Sequence, residues 1–159
     1  MSETPRCTFD PQAGLKGLPF VRHIGPGSCF WCAPSTGDQN LDFELGSLYG
    51  LMLLKFLRAE HLDSKRADVD PEEDPAGEFV ELVMVVRAMI RKGRHDNAED
   101  GFLSVLERYL VHCLRPEGGW VDVSAELDSH SWDWFEAECK RIWSGAPLRG
   151  QLHDECCVK

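Results

Sequence analysis

Two cysteines separated by two residues, Cys29 and Cys32, are the residues best suited to chemistry. This spacing lets two thiolates bind one zinc ion, which takes four ligands in a tetrahedral structural site. Near the end of the sequence, His153 and Cys156 repeat the two-residue separation. The four side chains together predict a closed zinc site that would fasten both irregular ends of the chain to its helical body.

The same two thiols also fit dithiol redox chemistry, in which a helix start lowers the pKa of the first cysteine. Pro34 and Gly37 separate Cys32 from the first predicted helix, and no strand–helix alternation supplies the sheet of a thioredoxin-like protein. A third interpretation is that Cys29 and Cys32 are unligated loop thiols. The odd total of seven cysteines argues against a disulfide framework. Cys113 and Cys139 fall in helical apolar patterns and are predicted to be core thiols.

Motifs of the common enzyme classes are missing from the sequence. There is no nucleophile elbow, zinc-protease motif, P-loop or dinucleotide-binding glycine pattern. The segment from Asp38 begins like a calcium-binding EF-hand loop, but Phe43 takes the glycine position and Tyr49 the final glutamate position. The sequence therefore favours a protein without catalysis and without a cofactor, zinc being the alternative.

Tryptophans flanked by acidic residues suggest a surface for a basic partner. Aromatic rings supply much of the energy of an interface, and carboxylates supply steering and selectivity. The alternative is that these tryptophans close the core against the irregular segments. The predicted partner-binding residues are Trp31, Asp70, Glu72, Glu73, Asp128, Asp133, Trp134 and Glu138.

Apolar periodicity predicts a mostly α-helical bundle of about four helices. The first spans about residues 36–60, with Thr36 as a capping residue, and is apolar nearly all round, which is typical of a central, buried helix. The others span about 74–93, 96–115 and 131–143. Short alternations at residues 20–24 and 120–123 are typical of strands, and their pairing is the small two-stranded β element that the pattern allows.

Gly46 and Gly50 lie four residues apart within the first predicted helix. Glycine weakens a helix, so its presence twice on one face indicates the close approach of another element. The whole chain, residues 1–159, is predicted to be a single domain. It comprises an irregular cysteine-containing segment at 1–34, a helical body at 35–144 and an irregular tail at 145–159.

The formal net charge of −10 constrains the partners. A polyanion is repelled by phosphate backbones and by anionic membrane surfaces, so neither nucleic acid nor membrane is expected. A basic protein partner fits the charge, as does simple solubility. No apolar run is long enough to cross a bilayer and no secretory signal opens the sequence, so a cytoplasmic location is expected.

The leading hypothesis is a small acidic binding protein, most concretely an inhibitor or immunity-type protein that neutralises a basic partner such as a toxin. The second is a zinc- or thiol-dependent protein, with or without enzyme activity, that uses Cys29 and Cys32. The third is a structural adaptor or chaperone-like subunit of a larger assembly, with an exposed apolar patch around Gly46 and Gly50.

Overall fold

A computed structural model describes residues 7–24, 27–63, 80–92, 96–114 and 123–146. Within these ranges the chain is mostly helical, and the predicted helical bundle is confirmed. No helix in the described ranges has both the length and the apolar character needed to cross a membrane. The elements are a 3-10 helix at Pro11–Gly17, strands β1 at Arg22–Ile24 and β2 at Gly27–Cys29, and helices α1 at Gln39–Asp63, α2 at Val80–Lys92, α3 at Asn97–Leu114, α4 at Val123–Ser129 and α5 at Trp132–Ser144.

Helix α1 is the centre of the bundle, as its apolar circumference predicted. Its side chains from Leu45 to Phe56 are buried at nearly every position, so it contacts neighbours on several sides. Helix α3 packs along it most extensively, and α5 and α4 contact it elsewhere. The N-terminal segment covers a further part of α1 with Leu18, Phe20 and Val21, all buried.

The α1–α3 contact depends on glycine, which confirms the prediction for Gly46. A Cβ atom at Gly46 would lie only 1.8 Å from the carbonyl oxygen of Ala98 on α3. The approach is mutual, because a Cβ at Gly101 would lie 2.1 Å from the carbonyl oxygen of Phe43. Both glycines and Gly50 are buried in this contact. The adaptor hypothesis, with its exposed apolar patch around Gly46 and Gly50, stays a prediction.

The start of α1 differs from the prediction. Asp38, rather than Thr36, caps the helix, since its carboxylate accepts from the N–H groups of Asn40 (2.8 Å) and Leu41 (3.1 Å). Thr36 is fully buried, and its own N–H donates to the Asp42 carboxylate over 2.6 Å. Ser35 donates a further hydrogen bond of 2.8 Å to Asp42. The first turn therefore contains a buried carboxylate that holds the preceding loop.

The β element that the structure describes differs from the pairing that the pattern allowed between residues 20–24 and 120–123. Strand β1 pairs with β2, with Arg22 opposite Cys29. Val123 is the first residue of helix α4, and Trp120 lies outside the described residues. Helix α4 is short, and its tertiary contacts hold it in place: Leu127 is buried, and its carbonyl accepts from Lys55 of α1 at 2.8 Å. Such contacts override the local alternation that suggested a strand.

Helix α5 begins and ends close to the predicted residues. The Ser131 hydroxyl caps it by accepting from the Trp134 N–H at 3.1 Å, and Gly145 follows its last residue. Phe135, Cys139 and Ile142 form its buried face, so the prediction of Cys139 as a core thiol is confirmed. The side chain of Cys113 lies outside the part of the chain that the structure describes.

Candidate functional site

A groove of about 300 Å³ lies open between α1 and α5. Apolar side chains of α1 and Ile142 of α5 form part of its lining, and charged side chains of α1, α3, α4 and α5 surround them. We call it the α1–α5 groove. Its lining residues are Phe43, Glu44, Ser47, Leu48, Leu51, Arg108, Glu126, Trp134, Glu138, Arg141 and Ile142.

Trp134 is the aromatic residue of α5 in this groove, and neighbouring rings fix its orientation. The imidazole of His130 stacks on the indole with ring centroids 3.6 Å apart and an interplanar angle of 10°. Phe135 meets the same indole edge-to-face at 5.1 Å. The indole is half-buried, so it presents a fixed aromatic surface to the groove. An aromatic side chain that is already ordered loses little entropy when a ligand binds.

Three carboxylates from three helices converge on the groove: Glu44 of α1, Glu126 of α4 and Glu138 of α5. Arg141 bridges two of them, with its guanidinium 3.0 Å from Glu44 and 2.7 Å from Glu138. The hydrogen bond to Glu138 raises the pKa of Arg141 most, and the hydrogen bond to Glu44 raises it further. Arg108 lies 3.9 Å from Glu126. The groove therefore already contains two cations of the protein itself, Arg108 and Arg141, close to its carboxylates.

Four of the predicted partner-binding residues lie in α4 and α5. Trp134 and Glu138 are one turn apart on α5 and both line the groove. Asp128 and Asp133 are exposed but are not among the lining residues, and Asp128 binds Arg58 of α1 at 3.0 Å. The predicted acidic residues Asp70, Glu72 and Glu73 lie outside the described residues.

The prediction of Trp31 as a surface residue is wrong. Its side chain is 1% exposed and lies among Phe20, Tyr49 and Phe102, with the Phe102 ring centroid 5.0 Å away. The segment before α1 crosses over α1 and α3 and fills their junction with this indole. Trp31 therefore closes the core, which was the alternative interpretation, and is not available to a partner.

Sequence reasoning missed Glu44, Glu126, Arg108 and Arg141. A signal existed for Arg141 alone, because Glu138 precedes it by three residues in a predicted helix and such pairs face each other. Glu126 was hidden because its helix was not predicted.

The two cysteines of the predicted zinc site are both half-buried. The Cys29 thiol donates to the carbonyl oxygen of Trp31 at 3.4 Å. His153 and Cys156 lie outside the described residues, and within those residues no three side chains of metal-binding type are grouped. Zinc binding at Cys29 and Cys32 therefore stays a prediction.

Comparison of the chain with protein-family models, with curated proteins and with solved structures gave no match.

Proposed function

We propose that this chain is a binding protein whose α1–α5 groove holds a basic segment of a partner protein, such as a toxin that it neutralises. The observation that supports this function is the convergence of Trp134 with Glu44, Glu126 and Glu138 over an apolar floor. Residues from three helices contribute to it, so the site exists only in the folded bundle.

The chemistry of the groove matches an arginine or lysine side chain. A guanidinium or ammonium group is attracted to the face of a tryptophan and donates hydrogen bonds to two or more carboxylates. The aliphatic stem of the same side chain prefers an apolar surface, which Leu48, Leu51 and Ile142 supply. An arginine fits best, because its planar guanidinium both stacks on a ring and pairs with carboxylates.

In the unbound protein Arg141 pairs with Glu44 and Glu138, so it would compete with a cation of the ligand for these two carboxylates. Its side chain is 56% exposed, so its ion pairs with Glu44 and Glu138 are exposed pairs, typically worth less than about 1 kcal/mol each. A ligand cation can displace it at small cost and then gains the contact with Trp134. The net charge of −10 assists the approach of a basic protein at long range.

The first experiment tests the groove with a defined probe. Binding of an arginine-rich peptide is measured by calorimetry at low and high salt, with a lysine-free, arginine-free peptide as reference. We expect Trp134→Ala to weaken binding at least about tenfold, since a buried aromatic anchor contributes about 1.4 kcal/mol or more. Glu138→Gln should weaken it several-fold.

The matched control is Glu107→Gln, which removes the same charge from an exposed position of α3 that does not line the groove. It should change the affinity less than about twofold, because a distant surface charge contributes little at moderate salt. If Glu107→Gln and Glu138→Gln weaken binding equally, only the overall charge acts and the groove is not the site. Thermal melts of each variant verify that the fold is retained.

The second experiment identifies the partner. The protein is used as bait in an extract of the source cell, in parallel with the Trp134→Ala variant. A basic protein that the unaltered chain captures and the variant loses is the expected result. Capture that is equal with both baits would reject the groove as the partner site.

A further inference from the structure

Two cysteine thiols that the groove does not use lie against each other inside the bundle. The Sγ atoms of Cys7 and Cys139 are 2.7 Å apart, although the residues are 132 positions apart in the chain. Both thiols are buried, Cys7 at 8% exposure and Cys139 at 0%. This is closer than non-bonded sulfurs normally approach, and a disulfide bond is about 2.0 Å long. A small movement of one side chain would therefore complete the bond.

The elements that carry the two thiols are held together by other contacts. Cys139 is on the buried face of α5, and Cys7 belongs to the N-terminal segment that crosses this face. Phe9 of the same segment stacks on Trp132 of α5, with ring centroids 4.0 Å apart and planes 27° apart. The thiols meet because the surrounding residues position them, so a disulfide here would join groups already in place.

The surroundings of the two thiols shift their pKa values in opposite directions. A hydrogen bond from Cys139 lowers the pKa of Cys7 and outweighs the effect of burial, which raises it, while the charges of Lys140 and Glu136 act in opposite directions. The same hydrogen bond and burial raise the pKa of Cys139. Cys7 is also the more accessible of the two. Because the thiolate is the attacking species in disulfide exchange, we expect Cys7 to be the first to react.

We propose that Cys7 and Cys139 form a reversible disulfide that links the N-terminal segment to α5, with a small-molecule disulfide such as oxidised glutathione as the oxidant. The Cys7 thiolate attacks one sulfur of the oxidant, which releases one thiol and leaves a mixed disulfide on Cys7. Cys139 then loses its proton and attacks the Cys7 sulfur, which releases the second thiol. The protein gives up two electrons and two protons, and both appear in the two released thiols.

The bond would close a loop that includes nearly the whole described chain. Cross-linking restricts the unfolded chain, and the restriction grows with loop length. For a chain of this size we expect the midpoint of thermal unfolding to rise on the order of 10 °C on oxidation. A reducing agent should reverse the rise.

The purified protein is equilibrated with mixtures of oxidised and reduced glutathione, and its free thiols are then trapped. Thermal unfolding is measured on each sample, and cross-linked peptides are identified by mass spectrometry. A peptide joining Cys7 to Cys139 and a matching rise in melting temperature are expected. In the Cys7→Ser variant the rise should vanish. The matched control, Cys29→Ser with Cys32→Ser, should keep it.

Three results would overturn the proposal. One is the absence of the Cys7–Cys139 peptide from the fully oxidised, unaltered protein, a result that does not depend on any variant folding. The second is a rise in melting temperature that persists in Cys7→Ser. The third is stable glutathione on Cys7, which would mean that Cys139 cannot complete the exchange.

Discussion

Replacing Gly46 by alanine tests the packing of α1 against α3. Helix propensity alone predicts that the variant is more stable, by about 1 kcal/mol, because alanine is the better helix former. The packing predicts the opposite, since the new Cβ would lie 1.8 Å from the Ala98 carbonyl oxygen. That atom belongs to the backbone and cannot rotate away, so the two helices must separate. Overpacking that forces backbone shifts typically costs about 1–3 kcal/mol, and an approach of 1.8 Å to a backbone atom favours the upper end of that range.

The net expectation for Gly46→Ala is a loss of about 2 kcal/mol in the free energy of unfolding. In a chain of this length that corresponds to a fall of roughly 4–8 °C in melting temperature. Gly101→Ala should lose a similar amount, since its Cβ would lie 2.1 Å from the Phe43 carbonyl oxygen. At Gly50 the nearest atom is the Val105 Cβ at 3.0 Å, so crowding and propensity should roughly cancel.

The free energies of unfolding of these glycine variants are measured by urea denaturation, with circular dichroism as the signal of unfolding. Gly145→Ala is the matched control. A Cβ at Gly145 would meet nothing nearer than 3.5 Å, and the residue has an ordinary φ of −83°, so this variant should stay within about 0.5 kcal/mol of the parent. A Gly46→Ala protein as stable as the parent, or more stable, would refute the close approach of α1 and α3.

Three further predictions concern single side chains. Asp42→Ala should lower the free energy of unfolding by about 2–3 kcal/mol in urea denaturation, because it leaves the buried N–H of Thr36 without its acceptor. The control Glu107→Ala, at an exposed position of α3, should change it by less than about 0.5 kcal/mol. Burial, followed by the nearby thiols, raises the pKa of Tyr49 well above its usual value. The folded state thus keeps the phenol proton that the unfolded state loses above about pH 10. The free energy of unfolding should therefore fall as the pH rises above about 10. It should fall less steeply in Tyr49→Phe, and the same dependence on pH in the variant and the parent would contradict this. Arg141→Gln should tighten binding of an arginine-rich peptide a few-fold in calorimetry, because it frees two carboxylates; weaker binding would argue against displacement of Arg141 by the ligand.

Periodic features of the fold were predictable from the sequence, and irregular ones were not. The apolar circumference of α1 identified the central helix, and the glycine at position 46 identified a close neighbour, though not that the neighbour is α3. Helix α5 was found because its apolar side chains repeat at helical spacing. Trp31 lies in a segment without periodicity, so nothing in its neighbours distinguishes a core indole from an exposed one.

The groove could be predicted only in part, because its residues come from distant parts of the chain. Trp134 and Glu138 share one helix, and local spacing is enough to place them together. Arg141 and Glu44 are 97 residues apart, and their contact depends on how α5 packs on α1. Glu126 reaches the groove through a seven-residue helix whose position is set by tertiary contacts.

The acidity of this protein has a long-range effect, from its net charge, and a local effect, from the carboxylates of the groove. The two effects can be distinguished because Arg141 already pairs with Glu44 and Glu138. The net charge of −10 acts at long range and would accelerate the approach of the proposed basic partner, whichever carboxylates provide it. Within the groove Arg108 and Arg141 already offset most of the charge of the three carboxylates. The proposed recognition would therefore depend on Trp134 and on the exchange of one cation for another. Added salt should therefore slow association to a similar degree in all variants. Dissociation should quicken when a residue of the groove such as Trp134 or Glu138 is altered, because those contacts form after the encounter. Surface plasmon resonance with the arginine-rich peptide measures both rates, and a Trp134→Ala variant whose weaker binding lay entirely in association would place the energy of recognition outside the groove.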